Sequence, residues 1–569
     1  MSSPTFPEPP VSGRETSIEE ADKLVGSLAD KKQLWTEVSI ADRIILLQRC
    51  MDATFAKRKE WSDLGGQAKG GEPGGSVAAE VLIGGVTTTI RNMRLLIKAL
   101  KAEGQPALPQ IRTGPDGQEI VKVYPTDSWD ALAFRGFVGE TWIEPGKTAS
   151  QGAIYRAKLA GEPSEGALSL VLGAGNVSSI GPMDALHKLF VEDEVVVLKT
   201  NPVNSYLGPI WEAALEPLIE EGVLAIVNGG AKLGKHLCEH PLVDTIHMTG
   251  SDSTHDAIVW GVDSEDVARR KAAGDPVNTR PISSELGCVT PLLVVPGPWT
   301  PADIDYQARH VAGMVTHNAS FNCTACKVLV LPKHWEHRDA FVTKVREHMA
   351  MTDPRKAYYP GAKERYSGFV KAHPGAIPLT EFTDEIIPWT VLPDVKPEDG
   401  EYALTHEAFC GVLAEVDLEA SEPEEFLDEA VKFANDRVWG TLSCMITIDP
   451  KTAKKHAAAL DRAIADLRYG GIAINAWSGV NYGFVSTTWG AFPGHTREEI
   501  VSGTGSVHNT YLLDHPQKSV IRAPFRIKPT PVWFSDHRNL FNVAEAATAM
   551  EYRPSLFKFI RLAKEAIGG

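Results

Sequence analysis

The chain has 569 residues, 57 Lys and Arg against 73 Asp and Glu for a formal net charge of −16, and 43% hydrophobic side chains. These proportions exclude disordered, collagen-like and coiled-coil chains, and the length calls for two or three domains rather than one core. The acidic balance argues against a general nucleic-acid or anionic-membrane binder, and seven scattered cysteines point to a reducing, cytoplasmic setting rather than a disulfide framework.

Met1 to Arg14 lacks the basic start and apolar core of a signal peptide, and no apolar run approaches the ~20 residues of a membrane-spanning helix. From Ser17 to about Lys101, apolar residues recur at three- and four-residue spacing (Leu24, Leu28, Trp35; Ile44, Leu47, Met51, Phe55), which predicts helices. Ser17 with Glu20 reads as a capping box. Lys69 to Ser76, KGGEPGGS, is too glycine-rich for a helix interior and is expected to be a loop. Gly104 to Ser164 mixes prolines with short β-type runs such as Ile120 to Tyr124, as extended ribbons at a subunit contact would.

After Gly166 the pattern becomes strand, loop, helix. Leu168 to Leu172, Val195 to Leu198, Leu224 to Val227 and Thr245 to Met248 are apolar strands separated by helices near Met183 to Phe190 and Tyr206 to Ile219. Such alternation means parallel sheet, because parallel neighbours need crossover connections. A second set runs from Pro291 to about Asn475, marked by Leu292 to Val295, Val328 to Leu331, Val412 to Val416 and Cys444 to Ile448. The fold class expected is α/β. The tail from His515 carries nine basic against four acidic side chains and ends in an amphipathic helix around Leu556 to Ile567. Its stripe of Leu556, Phe559, Ile560, Ala563 and Ile567 is expected to pack on a neighbouring subunit or on its own domain, in preference to a membrane surface.

Gly173-Ala174-Gly175 follows a strand, but the third glycine of a dinucleotide fingerprint arrives late, at Gly181. A sharper signal is Asn318 to Cys326, NASFNCTAC. A cysteine there is most often a small buried hydrophobe, and a C-x-x-C pair also serves as a redox dithiol or half of a zinc site. Three other segments give it company. Ser283 to Gly287 sets Glu285 beside a glycine, Lys199 ends a buried strand where ligands bind in open sheets, and Glu407 stands two residues before Phe409.

Taken in order, Asn176, Lys199, Met248-Thr249-Gly250-Ser251, Glu285, Cys323 and Glu407-Ala408-Phe409 resemble the aldehyde dehydrogenase superfamily, from about Ser17 to about Gly505. Departures are Gly175 for a tryptophan before Asn176, Cys288 for the second glycine after Glu285, Ser320-Phe321 for the Gly-Gln before the cysteine, and Cys410-Gly411 for a Gly-Pro. The resemblance implies two doubly wound parallel-sheet domains plus a small β-ribbon oligomerisation element. Residues 1–120 and 156–286 would form the coenzyme-binding domain and 287–485 the catalytic domain. Residues 121–155 and 486–514 would form the oligomerisation element, and 515–569 a C-terminal extension.

The activity implied is NAD(P)-dependent oxidation of a small-molecule aldehyde to the acid through a cysteine thiohemiacetal and thioester. Cys323 would be the nucleophile, Asn176 an oxyanion donor and Glu285 the base that activates water. Lys199 and Glu407 would hold the two riboses of NAD or NADP, Phe409 would pack beside the nicotinamide, and Gly250 and Ser251 would stand near the pyrophosphate. Pro202 occupies a position that often carries a glutamate against the adenosine ribose, which leaves NADP open. Alternatives are a coenzyme-A-acylating relative and a catalytically silent scaffold. A homodimer or homotetramer is expected, with no metal and no nucleic-acid or membrane partner. Cys326 is expected to be buried, with a reversible disulfide to Cys323 as the competing reading, and Trp477, Tyr482, Phe484 and Trp489 stand either in a tunnel wall or in the core.

Overall fold

The structure, a computed structural model, describes residues 13–569, so most of the segment read above as lacking a signal peptide lies outside the described residues. Helices Ile18–Glu37, Ile40–Ala68 and Thr88–Lys101 occupy the region of helical periodicity, with Ser76–Val81 and a π-helical turn, Leu82–Thr87, between the last two. Ser17 caps the first helix by accepting the Glu20 N–H at 3.1 Å. The box stays half closed, because the Glu20 carboxylate pairs with Arg14 instead.

One sheet has six strands in the order Gly503–Thr504, Ile282–Glu285, Thr245–Thr249, Ala167–Leu172, Glu194–Lys199, Leu224–Val227. All neighbours are parallel except the first pair. Val195 to Leu198 are fully buried, as strands covered by helices on both faces must be. Strand order reverses between Ala167–Leu172 and Thr245–Thr249, and open α/β sheets bind ligands beyond the carboxyl ends at such a point. Gly173 and Gly181 come close enough there that a Cβ on Gly173 would lie 3.3 Å from the Gly181 Cα. The late third glycine thus serves helix-to-strand packing.

The other sheet has eleven strands. Seven run parallel in the order Pro516–Arg522, Gly471–Ile474, Ser443–Thr447, Pro291–Val294, Val328–Pro332, Val412–Leu418, Thr390–Val395. The ribbon strands Val138–Ile143, Glu119–Tyr124 and Ile111–Thr113 add antiparallel at one edge, and Ile377–Pro378 at the other. One finding differs from the sequence expectation. Pro516–Arg522, in the stretch read as an extension, is an interior strand that joins Gly471–Ile474 to the ribbon. The proline-rich ribbon extends the sheet of its own chain and leaves Ile111–Thr113 as its outer edge.

The terminal helix Leu556–Ile567 forms where expected, yet none of its residues is buried. Phe559 meets Trp129 with ring centroids 5.9 Å apart, while Leu556, Phe557, Ile560 and Ile567 are each more than half exposed. Its own domain therefore leaves most of the stripe uncovered. No helix among the described residues is long and apolar enough to cross a membrane.

Candidate active site

A cleft of about 1410 Å³ opens between the carboxyl ends of the six-stranded sheet and the loops that enter the parallel strands of the larger one. Asn176, Lys199, Gly250, Ser251, Glu285, Cys323, Glu407 and Phe409 all line it, with Pro202. The first sheet supplies Lys199 and Glu285 as the last residues of their strands, and Gly250 and Ser251 just past another. The second supplies Cys323 ahead of Val328–Pro332 and the Glu407 to Phe409 segment ahead of Val412–Leu418.

Glu285 is buried, and its carboxyl lies near Cys323, with both residues lining the cleft. Burial first, then the nearby Asp184 carboxylate, push the Glu285 pKa up to about 7, against the pull of the Cys323 and Trp489 contacts. Burial first, then the Glu285 carboxylate, hold the Cys323 thiol well above its ordinary value. The pair therefore rests as a neutral thiol beside an acid poised near neutrality, which can take the thiol proton when the sulfur bonds to an electrophile.

Asn176 donates one Nδ2–H to the Phe321 carbonyl at 3.1 Å. A side-chain amide carries two such hydrogens, so one stays free for a ligand oxygen. The turn before Cys323 is strained, since Asn318, Ala319 and Ser320 have φ of 54°, 54° and 68°. Non-glycine residues rarely enter this left-handed region, and three in a row need firm outside support.

At the other end of the cleft, the Lys199 ammonium makes one hydrogen bond, to the Thr200 carbonyl at 3.1 Å, and burial lowers its pKa to about 8. Ser251 caps the helix Asp252–Val259 by accepting the Thr254 N–H. Burial raises the Glu407 carboxyl pKa to about 7, against the pull of the nearby Lys327 ammonium. Its Oε1 is buried without a partner. A Cβ on Gly287 would come within 2.3 Å of Glu407 Oε2, so a side chain there would push the Glu407 carboxylate aside. Arg365 hydrogen-bonds the Ala408 and Phe409 carbonyls at 3.1 and 3.3 Å and fixes the segment.

The altered positions are filled rather than empty. Phe321 is buried against Tyr358, with ring centroids 4.9 Å apart, and 5.9 Å from Phe409. Gly411 makes room for Trp389, whose ring lies 2.4 Å from where a Cβ would stand. Trp477, Phe484 and Trp489 are core residues. Tyr482 packs against Trp489 and hydrogen-bonds Ser179 at 2.6 Å. Cys326 is fully buried in the apolar cluster on one side of the sheet, whereas Cys323 borders the cluster on the other. The burial reading of Cys326 is the one that fits.

Sequence reasoning missed Lys69, Lys327 and Tyr358, which hydrogen-bond the turn before Cys323. Lys69 stood at the head of the glycine-rich loop, a signal of close packing that had no partner until the chain was folded.

Two α/β sheets thus face one cleft that a cysteine, a glutamate and an asparagine line together. A sequence profile of the aldehyde dehydrogenase family matches residues 194–361. A putative aldehyde dehydrogenase of Staphylococcus aureus (strain MSSA476) is 26% identical over 310 residues, half of this chain and 58% of that relative. The matched region thus spans little more than half the length of the curated relatives. Among solved structures, a gamma-glutamyl-gamma-aminobutyraldehyde dehydrogenase from Burkholderia cenocepacia J2315 superposes with a TM-score of 0.60 at 19% identity, covering 90% of both chains. An NADP-dependent glyceraldehyde-3-phosphate dehydrogenase from Bacillus halodurans C-125, complexed with NADP, gives a TM-score of 0.60 at 16% identity over 90% of this chain and 94% of that one. The chain is thus similar to aldehyde dehydrogenases in sequence over residues 194–361 and in fold over about nine-tenths of its length.

Proposed function

We propose that this protein oxidises an aldehyde to the carboxylic acid with NAD or NADP, through a thiohemiacetal and a thioester on Cys323. The observation that carries the reading is the convergence of Cys323, Glu285 and Asn176 on one cleft, with the buried Glu285 carboxyl near Cys323. The cleft suits a dinucleotide. Lys199 keeps two ammonium hydrogens unspent, and the partnerless Glu407 Oε1 asks for a hydroxyl donor such as a ribose. Lys199 and Glu407 would hold the two riboses, Gly250 and Ser251 would face the pyrophosphate, and Phe409 would flank the nicotinamide.

Glu285 takes the thiol proton as the Cys323 sulfur bonds to the aldehyde carbon, and the carbonyl electron pair moves to oxygen. The free Asn176 Nδ2–H and the Cys323 backbone N–H receive that oxyanion; removing one such donor typically costs ~10²–10³ in turnover. When bound, the oxidised nicotinamide supplies the two-electron acceptor that turns the thiohemiacetal into a thioester. Glu285, having passed its first proton to solvent, then deprotonates a water that attacks the thioester carbon. The carbon–sulfur bond breaks, and the acid leaves.

Pro202 places no carboxylate at the adenosine end of the cleft, which supports acceptance of NADP beside NAD. An assembly of two or four copies is supported by the uncovered apolar face of Leu556–Ile567. The test is a panel of aldehydes with NAD and with NADP, beside Cys323→Ala. Reduced coenzyme and free acid are expected without coenzyme A, and none from the variant. Acid transfer only to coenzyme A would favour the acylating alternative, and no coenzyme reduction with any aldehyde would favour the silent scaffold.

A further inference from the structure

We propose that Lys69, from the glycine-rich loop, is a positioning residue that sets the Asn176 amide against the Cys323 turn. The inference rests on the reading of Cys323 as nucleophile and Asn176 as oxyanion donor. Lys69 caps the long helix Ile40–Ala68. Gly70, at φ +80°, and Gly71, where a Cβ would lie 2.5 Å from the Val77 Cβ, let the chain turn back tightly, so that the lysine stem runs inward.

Its ammonium donates to the Asn176 carbonyl at 2.9 Å and to the Asn318 Oδ1 at 2.8 Å, and lies 5.0 Å from the Tyr358 ring centroid. The Tyr358 hydroxyl reaches the same two oxygens at 3.1 and 2.9 Å. Asn318, the first of the left-handed residues, is held on every polar atom. Its N–H donates to Glu80, which Arg355 pairs at 2.7 Å. Its carbonyl accepts the Phe321 N–H, and its Nδ2 lies within hydrogen-bond reach of the Asn176 and Phe321 carbonyls. Phe321 O is also the acceptor of the Asn176 amide. Lys69 thus fixes both the carbonyl of the oxyanion donor and the turn its amide must face. On the opposite side, Lys327 holds the Ser320 carbonyl and hydroxyl at 3.1 and 2.7 Å and the Cys410 carbonyl at 2.9 Å.

Stability alone does not explain the arrangement. A buried lysine and three left-handed residues each cost free energy that an apolar side chain and a relaxed turn would save. Burial lowers the Lys69 pKa to about 8, a measure of that cost. What the arrangement secures is placement, and a 1 Å error in placing reacting groups costs about 10²-fold.

The test compares two reactions of Cys323 that need neither aldehyde nor coenzyme, in the full chain, in Lys69→Met and in Tyr358→Phe. Acylation by p-nitrophenyl acetate passes through an oxyanion that Asn176 must receive; alkylation by iodoacetamide does not. Mass spectrometry maps both to Cys323. For Lys69→Met the acylation rate is expected to fall ~10–100-fold, with alkylation within ~3-fold of the parent. Tyr358→Phe should shift the same ratio by less, and it carries the test if Lys69→Met fails to fold. An unchanged ratio, whether both rates fall together or neither does, overturns the proposal. A parent that is acylated at Cys323 yet oxidises no aldehyde removes the proposed oxidation, while the ratio still decides the role of Lys69.

Discussion

Glu285 is the side chain on which the pH dependence of turnover should hang. Its carboxyl titrates near 7 because it is buried beside Asp184, and only the ionised form can deprotonate water. Turnover is therefore expected to rise with pH through about 7 and to fall ~tenfold per unit below it; a limb confined below pH 5.5 would contradict this reading. Glu285→Gln should lower kcat by ~10²–10⁴ and slow the first burst of reduced coenzyme in stopped flow as well, because thiol activation and acid release both lose their base. A second prediction concerns Cys326. Since its sulfur lies in the apolar cluster across the sheet from the one Cys323 borders, Cys326→Ser should leave the rate of peroxide inactivation, and its reversal by dithiol, as in the parent. A variant that loses reversibility would bring the disulfide back into consideration.

Among the elements, Pro516–Arg522 and Leu556–Ile567 make an instructive pair, because both lie in the tail read as an extension. Ile521 is fully buried in the eleven-stranded sheet, so Ile521→Ala should cost about 2–5 kcal/mol of stability in urea denaturation. Ile560, 58% exposed, should change stability by no more than ~0.5 kcal/mol when made alanine. The contrast was not legible in the sequence. Helix Leu556–Ile567 announced itself through its spacing, which is local information. Gln517 to Arg522 has no strong alternation, and it becomes a strand because the edges of Gly471–Ile474 and Val138–Ile143 stand ready on either side. The parallel strands, by contrast, were readable wherever four apolar residues ran together. The same division holds at the site. Cys323, Glu285 and Glu407 sit in motifs, whereas Lys69 meets Asn318 across 249 positions of chain, a contact that no local pattern encodes.

For the molecule as a whole, the outward face of the terminal helix is the apolar surface its own domain leaves uncovered. Leu556, Phe557, Ile560 and Ile567 form an apolar surface on an acidic protein, flanked by Lys558, Arg561 and Lys564. A dimer or tetramer built on this face should become monomeric in sedimentation equilibrium when Phe557 and Ile560 are both made glutamate, with the thermal midpoint little changed. An unchanged assembly would move the contact elsewhere, and binding of the parent to anionic vesicles would replace the subunit reading with a lipid one.

The interior position of Pro516–Arg522 also bears on how the protein comes into being. Every other strand of the larger sheet leaves the ribosome before it, yet none can join the ribbon until it arrives. At ~5–20 residues per second the growing chain waits with two unpaired edges open. Nascent material should thus lean on holding factors late in translation, and a premature stop shortly before codon 516 should send the product to proteolysis rather than yield a weakened enzyme.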